Sequence, residues 1–216
     1  GPRALTDGPG DDRNPEWSPD GRQIAFTRWF ETEGNDDGDV YVASIDGSRT
    51  NSIIEGETED GRPTWSPDGR RIAFVRWTKH ADGEDDGDIL VADADGSDIV
   101  PVTTGNPNDN YPAWSPDGSR IAFVRPSSRD EDAQTDIYVT NLDGSAQRAL
   151  THTDSSEKNP AWSPGGRRVA FARVSGAGDS EEADIFVMGL DGGNATALTN
   201  TDKSDLFPAW SPGCSN

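Results

Sequence analysis

A tryptophan-bearing motif recurs five times along this chain and constrains its fold more than any other feature. Each copy begins Trp-Ser-Pro, and successive tryptophans stand 48, 49, 48 and 48 residues apart, at Trp17, Trp65, Trp114, Trp162 and Trp210. Self-similarity at a fixed period of this length is the signature of a repeat protein, in which each unit stacks on its neighbours. The chain is therefore predicted to consist of equivalent units rather than of one irregular fold.

The motif itself predicts two strands joined by a tight turn. Ser-Pro-Asp-Gly is a favourable β-turn, because proline presets φ at its second position and glycine accepts the conformation that ends the turn. A short apolar run follows each turn, as at Ile24-Ala25-Phe26 and Ile72-Ala73-Phe74. Apolar residues at consecutive positions are typical of strands that are covered on both faces.

Each repeat accommodates four antiparallel strands, and four strands at this period form one blade of a β-propeller. We expect each repeated tryptophan to be buried between neighbouring blades. The prediction is an all-β single propeller domain over residues 1–216, with four complete four-stranded blades at residues 12–54, 60–103, 109–151 and 157–199. An extra N-terminal outer strand at residues 3–6 and a C-terminal inner strand, the first of an incomplete blade at residues 205–216, flank them.

The repeat resembles a known family. Asn-Pro-x-Trp-Ser-Pro-Asp-Gly-Arg-x-Ile-Ala-Phe, followed by Asp-Ile-Tyr-Val and Asp-Gly-Ser, is similar to the WD-like repeat of TolB-type propellers, and the resemblance covers nearly the whole chain. It implies a periplasmic or secreted, partner-binding protein with six blades, and similar blades form the substrate-filtering domain of prolyl oligopeptidase-type hydrolases. We favour a segment of a larger, six-bladed ring; the alternatives are a closed four-bladed ring and a ring completed between chains.

The charge of the chain restricts its partners. The formal net charge is −21, from 40 acidic and 19 basic residues. Nucleic acids and anionic membrane surfaces are repelled by such a chain, so neither is expected as a partner. No apolar stretch has the length of a membrane span, so membrane insertion is not expected either.

The acidic residues concentrate in the connections between the second and third strands of each repeat. Residues 29–39, for example, hold five carboxylates and no lysine or arginine. In an antiparallel blade these connections share one face with those that lead to the next blade, and loops on a rigid scaffold usually carry binding. The sequence therefore predicts an acidic face that meets a protein or a basic ligand; the alternative is a solvated rim that keeps the protein soluble.

Two of these connections resemble calcium-binding loops. Carboxylate or amide oxygens alternate along each of them, with a glycine that permits a sharp bend, which is the pattern of hard ligands around Ca²⁺. The candidate ligands are Asp82, Glu84, Asp86 and Asp88 in the second repeat and Glu33, Asn35, Asp37 and Asp39 in the first. No cofactor is required by the sequence, and Ca²⁺ is the one ion it suggests.

A second set of carboxylates precedes the proline of each first strand by three residues. These residues are Asp12, Asp60, Asp109, Glu157 and Asp205. In a propeller these positions approach the central channel, where they gather a cation or a cationic ligand. The alternative is that each one caps backbone N–H groups of its own turn.

Two further features of the blade ends have both a structural and a functional interpretation. Arginines end the second strands and aspartates begin the third, as at Arg28 and Asp39, so cross-strand ion pairs are expected rather than substrate contacts. Trp29 and Trp77 each follow such an arginine and suggest an exposed aromatic patch for a partner, or else packing beneath their own loops.

The sequence contains no recognisable catalytic constellation, so the predicted function is a non-enzymatic binding or protein-interaction module. One alternative is an accessory propeller of a prolyl oligopeptidase-like hydrolase. The other is a self-assembling structural unit that forms oligomers through its incomplete end strands.

Overall fold

A computed structural model describes residues 3–32, 35–79, 85–105, 108–128, 133–175 and 182–211 of the chain. These residues form β-strands joined by turns and contain no α-helix. Within them there is accordingly no helix with the length and apolar character that crossing a bilayer requires.

The strands build four antiparallel, four-stranded sheets, each in the order of the chain. Sheet 1 contains β1 (Asp11–Trp17), β2 (Gln23–Thr32), β3 (Asn35–Ser44) and β4 (Thr50–Ile54). Sheet 2 contains β5 (Glu59–Trp65), β6 (Arg71–Lys79), β7 (Asp85–Asp93) and β8 (Val100–Pro101). Sheet 3 contains β9 (Asn110–Trp114), β10 (Arg120–Pro126), β11 (Thr135–Asn141) and β12 (Arg148–Ala149). Sheet 4 contains β13 (Ser156–Trp162), β14 (Arg168–Ser175), β15 (Glu182–Gly189) and β16 (Thr196–Ala197).

The chain divides into two compact units, Gly1–Gly105 with sheets 1 and 2 and Asn106–Asn216 with sheets 3 and 4. The division falls between the second and third predicted repeats, so each unit contains two whole repeats. The single domain expected from the sequence stays a prediction.

The second strand of each sheet lies at the centre of the core, as its apolar run predicts. Ile72, Ala73, Phe74 and Val75 are all fully buried, because sheets pack on both faces of such a strand. In the first unit Trp65 of sheet 2 packs against Ala25 and Val42 of sheet 1. In the second unit Trp162 of sheet 4 packs in the same way against Ala122 and Val139 of sheet 3.

The repeated tryptophans are not all buried. Trp65, Trp114 and Trp162 are 5%, 7% and 8% exposed, whereas Trp17 is 55% exposed. The burial expected of every repeated tryptophan is therefore wrong for Trp17, because the part of the first unit that is described contains no sheet in front of sheet 1 to cover it. Trp210 is half-buried.

The hairpins of the first two sheets are longer than the sequence suggested. Residues expected to form loops continue the ladder, so that Thr32 pairs with Asn35 and Lys79 pairs with Asp85. Each extension begins with a tryptophan opposite a glycine, Trp29 with Gly38 and Trp77 with Gly87. The cause is the strong β-propensity of tryptophan, phenylalanine and threonine, with an aromatic ring covering the glycine across the ladder.

The two end segments lie against sheets without forming a ladder themselves. Arg3 donates to the carbonyl of Asp46 at 2.5 Å, just as Arg148 donates to the carbonyl of Leu190 in the second unit. At the other end Asp205 donates its N–H to Ala183 at 2.7 Å, and Trp210 Nε1 donates to Ala161 at 3.0 Å. The expected outer strand 3–6 and inner strand 205–216 thus lack strand pairing in the residues that are described, because no neighbouring strand is available to either of them there.

Candidate functional site

One end of every sheet carries the same ion pair between its first two strands. An arginine at the end of the second strand donates to a carboxylate at the start of the first. Arg76 Nε and Nη2 both lie 2.8 Å from the Asp60 oxygens, and Arg125 binds Asp109 at 2.6 and 2.7 Å. The equivalent pairs are Arg28 with Asp12 and Arg173 with Glu157. In the pairs of Arg28, Arg76 and Arg125, two parallel N–H···O bonds make the contact both strong and geometrically specific, whereas Arg173 reaches one oxygen of Glu157, at 2.7 Å.

The sequence expected these arginines to pair with the aspartates that begin the third strands. The register does place Arg28 opposite Asp39 and Arg125 opposite Asp136. However, the same arginines also lie opposite the first-strand carboxylates, as Arg28 lies opposite Asp12. The bidentate bonds of Arg28, Arg76 and Arg125 go to that side, and pairing with the third-strand aspartates stays a prediction.

The first-strand carboxylates are mostly inaccessible. The side chains of Asp60, Asp109 and Glu157 are fully buried, and a ligand has no access to them in this structure. Arginine side chains bind these carboxylates, and the alternative interpretation, capping of their own turns, stays a prediction. Asp12 is partly exposed, and Asp205 belongs to the end segment. A role of the five residues at a central channel stays a prediction.

Burial and pairing act in opposite directions on the pKa values of these carboxylates. Burial raises the pKa of Asp12, but the hydrogen bonds from Arg28 and Thr6 outweigh it and leave the pKa below its ordinary value. In Glu157 the effect of burial prevails and the pKa is raised, although Arg173 and Thr153 both donate to Oε1. Glu157 Oε2 is buried without a hydrogen-bond partner among the described residues, which explains the difference.

Third-strand aspartates bind a threonine that the sequence argument missed. Thr151 Oγ1 donates to Asp136 at 2.9 Å and accepts the N–H of Ile137 at 2.8 Å. Thr199 bridges Asp184 and Ile185 in the same way. The signal was present, because a threonine stands six residues before the first-strand carboxylate at Thr6, Thr103, Thr151 and Thr199. Thr103, Thr151 and Thr199 close the end of each repeat onto its third strand, whereas Thr6 donates to Asp12.

Each first strand contains a bulge between its carboxylate and its tryptophan. The residue before the proline has a positive φ of 52–54°, at Asn14, Arg62, Tyr111 and Asn159. Asparagine tolerates this conformation, whereas Arg62 and Tyr111 adopt it at a cost. Asn-Pro in the first and fourth repeats is the signal that sequence reasoning overlooked. The bulge lets the two halves of the strand point their side chains independently.

A half-buried glutamate between the sheets of the first unit was also missed. Glu16 accepts from Thr64 Oγ1 at 2.8 Å and from the backbone N–H of Trp65 at 3.2 Å. Burial raises its pKa above the ordinary value, and these two hydrogen bonds only partly offset the effect. Alanine stands at the equivalent position of the third, fourth and fifth motif copies, so a break in the repeat pattern marked this residue.

The candidate calcium ligands are divided between strands and undescribed residues. Asn35, Asp37 and Asp39 belong to β3, and Asp86 and Asp88 to β7, where they take part in the ladders with β2 and β6. Asp39 and Asp86 are buried. Glu33, Asp82 and Glu84 lie outside the described residues. Among the residues that are described, no group of three or more potential ligands is placed to hold a metal ion. Calcium binding stays a prediction.

The two extra tryptophans are half-buried, and each has an arginine over its ring. Arg13 lies 5.7 Å from the centroid of Trp29, and Arg62 lies 5.8 Å from that of Trp77. Such a cation–π contact contributes about 0.5–1 kcal/mol at a partly exposed site. The contact of these tryptophans with a partner remains a prediction.

Comparison with solved structures shows the propeller fold. TolB of Agrobacterium tumefaciens, named putative, matches with a TM-score of 0.75 and 24% identity, over 97% of this chain and 69% of that chain. TolB of Acinetobacter baumannii matches with a TM-score of 0.69 and 20% identity, over 93% and 47%. An acylaminoacyl peptidase of Pyrococcus horikoshii matches with a TM-score of 0.61 and 17% identity, over 88% and 32%. The chain thus spans less than half the length of the second and third of these proteins.

Comparison with curated protein sequences finds no match. The model of the family PD40, described as the TolB beta propeller domain, matches residues 70–216, about two thirds of the chain. The Trp-Ser-Pro motifs, the four four-stranded sheets and this match agree. The chain belongs to the TolB β-propeller family.

Proposed function

We propose that this propeller is a non-enzymatic binding module that takes a basic protein or peptide segment at the acidic end of its sheets. The acidic end is defined here as the end that carries the Arg–carboxylate pairs and the connections to the following sheet. Because the likeness to TolB structures shows the fold alone, this function rests on the chemistry of the described residues.

The observation that carries the proposal is that the four arginines near the ends of the second strands are already engaged. Each one binds a carboxylate of its own sheet at 2.6–2.8 Å through Nε. Several also stack on aromatic rings, as Arg173 does on Phe186 at 4.5 Å. Guanidinium groups held in this way are not available to an anionic ligand. The residues that repeat from sheet to sheet therefore serve the fold, not catalysis.

Carboxylates are exposed in the connections at the acidic end, beside the basic side chains Arg13, Lys79 and Lys203. Glu55 and Glu57 are exposed between sheets 1 and 2, and Asp154 and Asp202 occupy the corresponding connections of the second unit. Clustered exposed charge of one sign steers an oppositely charged partner and raises its association rate. Basic groups on a polypeptide are the chemistry that this end favours.

Location, calcium binding and the two alternative roles are further expectations from the sequence, and each has its own test. A periplasmic or secreted location follows from the TolB resemblance, and fractionation of the native cells tests it. Calcium at the acidic hairpins is tested by calorimetric titration, in which an absence of heat removes the idea. The hydrolase-accessory and self-assembly roles remain predictions that no described contact favours.

Binding of a basic probe tests the main proposal. Fluorescent deca-lysine is titrated with the protein at about 0.05 M and about 0.5 M NaCl, where screening differs strongly. We expect binding at low salt that is lost at high salt. Glu57→Gln is compared with Asp98→Asn, an equal charge change at an exposed turn on the opposite end of sheet 2.

The two substitutions separate a site from a general charge effect. Glu57→Gln should weaken binding about two- to fivefold, the range of a single exposed charge pair, and Asp98→Asn should leave it nearly unchanged. Equal effects of the two changes, or binding that salt does not alter, contradict the proposal. Hydrolysis of peptide substrates by the purified protein contradicts its non-enzymatic part.

A further inference from the structure

A cavity of about 690 Å³ lies between sheets 1 and 2 of the first unit, at the end opposite to the acidic end. Its walls come from β2, β3 and β4 of sheet 1 and from the turn between β7 and β8 of sheet 2. The lining residues are Gln23, Val42, Ser44, Arg49, Thr50, Asn51, Ser52, Ile53, Ala94 and Asp95. Its volume falls in the range of sites that bind small ligands and peptide side chains.

The cavity has an identifiable cause in the repeat pattern. Ala94 donates its N–H to the carbonyl of Arg70, and Ile45 and Leu190 make the same bond to Arg22 and Arg167 in their own sheets. The three residues are therefore structurally equivalent. Leu190 packs against the core between sheets 3 and 4, in the position that Ala94 occupies between sheets 1 and 2. The junction of the first unit thus lacks one aliphatic side chain that its counterpart has.

The floor of the cavity is apolar and firmly held. Ile53 and Ala94 pack on the buried cluster that contains Val42 and Trp65. Both residues are therefore held by the core that joins sheets 1 and 2.

Strand β4 borders the cavity and is an edge strand of its sheet. It has five residues, whereas the fourth strands of the other sheets have two. Its sequence, Thr-Asn-Ser-Ile-Ile, contains neither a charge nor a proline, the usual means of preventing an edge from pairing. Gly96 of sheet 2 packs on the carbonyl of Ile53, whereas Thr50 and Asn51 are exposed, so this part of the edge is available to an additional strand.

The charge of the cavity differs from that of the molecule as a whole. Of the described residues that line it, Arg49 and Asp95 are the ionisable ones, so it is close to neutral in a chain of net charge −21. Electrostatic repulsion and attraction by the carboxylates of the chain are therefore weak in the cavity, which favours a neutral, partly apolar segment as its ligand.

We propose that this cavity binds an extended peptide segment, which pairs with the edge of β4 and places an aliphatic side chain over Val42, Ile53 and Ala94. The side chain occupies the space that Leu190 occupies in the second unit. Strand addition of this kind obtains affinity from main-chain hydrogen bonds and specificity from pockets for alternate side chains.

The probe is the blocked pentapeptide Ser-Thr-Leu-Thr-Ser, titrated into ¹⁵N-labelled protein and followed by NMR. We expect saturable shifts of the Thr50–Ile53 and Ala94 amides with a dissociation constant of about 1 mM or tighter. Replacing the central leucine by aspartate should weaken binding about tenfold. Absence of saturation up to about 5 mM, or shifts confined to other residues, overturns the proposal.

The protein supplies its own matched variant, Ala94→Leu, which introduces the side chain found at the equivalent position of the second unit. This change should leave the fold intact, with an unchanged or higher melting temperature, and weaken the peptide about tenfold or more. A folded Ala94→Leu protein that binds with unchanged affinity contradicts the site.

Methylated peptides test the strand pairing separately from the pocket. In a strand, alternate N–H groups point to the same side, so methylation of only one alternating set of amides should abolish binding. If both sets are tolerated, or if leucine amide alone binds as tightly as the pentapeptide, pairing with β4 is wrong.

Discussion

At the scale of single residues, glycines in the turns show how closely neighbouring sheets approach each other. A Cβ atom at Gly96, where φ is +87°, would lie 1.9 Å from the carbonyl oxygen of Ile53 in sheet 1. At Gly21, where φ is +69°, a Cβ would meet nothing within 4 Å. Both glycines have the left-handed conformation, but only Gly96 lacks room for a Cβ atom. Comparing substitutions at the two positions therefore distinguishes the cost of backbone strain from the cost of a steric clash.

We therefore predict that Gly96→Ala destabilises the protein far more than Gly21→Ala. The strain of the left-handed conformation alone costs about 1 kcal/mol, which is the expected loss at Gly21. At Gly96 displacement of the Ile53 backbone adds to it, and the total should exceed about 3 kcal/mol. Urea unfolding measures both, with the wild-type slope as a check that the unfolded state is unchanged. Similar losses in the two variants would mean that sheets 1 and 2 do not approach at this point.

The raised pKa of Glu16 predicts an unusual dependence of stability on pH. Its folded-state pKa lies above the ordinary value of 4.5, chiefly because of burial. The folded state therefore holds the proton more tightly than the unfolded state. The stability linked to this group is complete below the unfolded pKa and is lost as pH rises through the folded pKa.

Glu16→Gln should raise the melting temperature at pH 7, because the amide oxygen still accepts from Thr64 and Trp65 but carries no charge to desolvate. The gain should shrink towards pH 4, where Glu16 itself is protonated. Calorimetry of both proteins across this interval measures the difference. A gain that is constant with pH would show that the charge of Glu16 is not the cause.

The sequence predicts which residues lie at the acidic end of each sheet, but not which carboxylate each arginine binds. Arg28 stands opposite Asp12 on one side and Asp39 on the other. The repeat locates all three, but periodicity contains no information on which carboxylate the guanidinium reaches. That choice depends on the bulge that turns the start of the first strand, and the bulge is visible in the sequence only as Asn-Pro.

At the scale of elements, the turn between the first two strands is the most regular feature of the fold. In sheets 1, 2 and 3 the turn aspartate accepts from the serine hydroxyl two residues earlier, as Asp117 does from Ser115 at 2.6 Å. Hydrogen bonds from Ser115, and from the N–H and hydroxyl of Ser119, lower the pKa of Asp117 to about 2. Sheet 4 has Gly165 at this position and retains only the bonds of Ser163 and Gly166.

Gly165→Asp should therefore stabilise the protein, because it restores the missing turn bonds. Gly165 does not have a positive φ, and a Cβ there meets nothing within 4 Å. The expected gain is about 0.5–1.5 kcal/mol above that of Gly165→Ala, which reduces only the entropy of the unfolded chain. Chemical denaturation at pH 7 measures it, and the extra gain of aspartate over alanine should disappear at pH 2. If alanine and aspartate are equivalent at pH 7, the turn bonds contribute nothing.

Strand existence and strand length were predictable to different degrees. The Trp-Ser-Pro period locates all four sheets, because each copy of the motif fixes a turn and the two strands beside it. The ends of the first two hairpins were missed, because Trp29-Phe30 and Trp77-Thr78 stand next to acidic, glycine-containing segments that suggested a loop. Their β-propensity was the better guide, with each tryptophan opposite a glycine across the ladder.

At the scale of the whole molecule, excess negative charge is the property that composition alone reveals. The chain has 40 acidic and 19 basic residues, and at least four of its arginines are bound to carboxylates within sheets. Repulsion among the exposed carboxylates opposes the compact state more than the unfolded one, where the same charges are farther apart. Salt screens such exposed charges strongly, whereas it screens buried pairs such as Arg125–Asp109 much less.

The melting temperature should consequently rise between about 0.02 M and about 0.5 M NaCl, over which the Debye length falls several-fold. Choline chloride should give the same rise at equal ionic strength, since screening does not depend on the identity of the cation. A larger rise with CaCl₂ at matched ionic strength would instead indicate bound calcium. A melting temperature that falls with salt would mean that exposed ion pairs, not repulsion among carboxylates, dominate the surface.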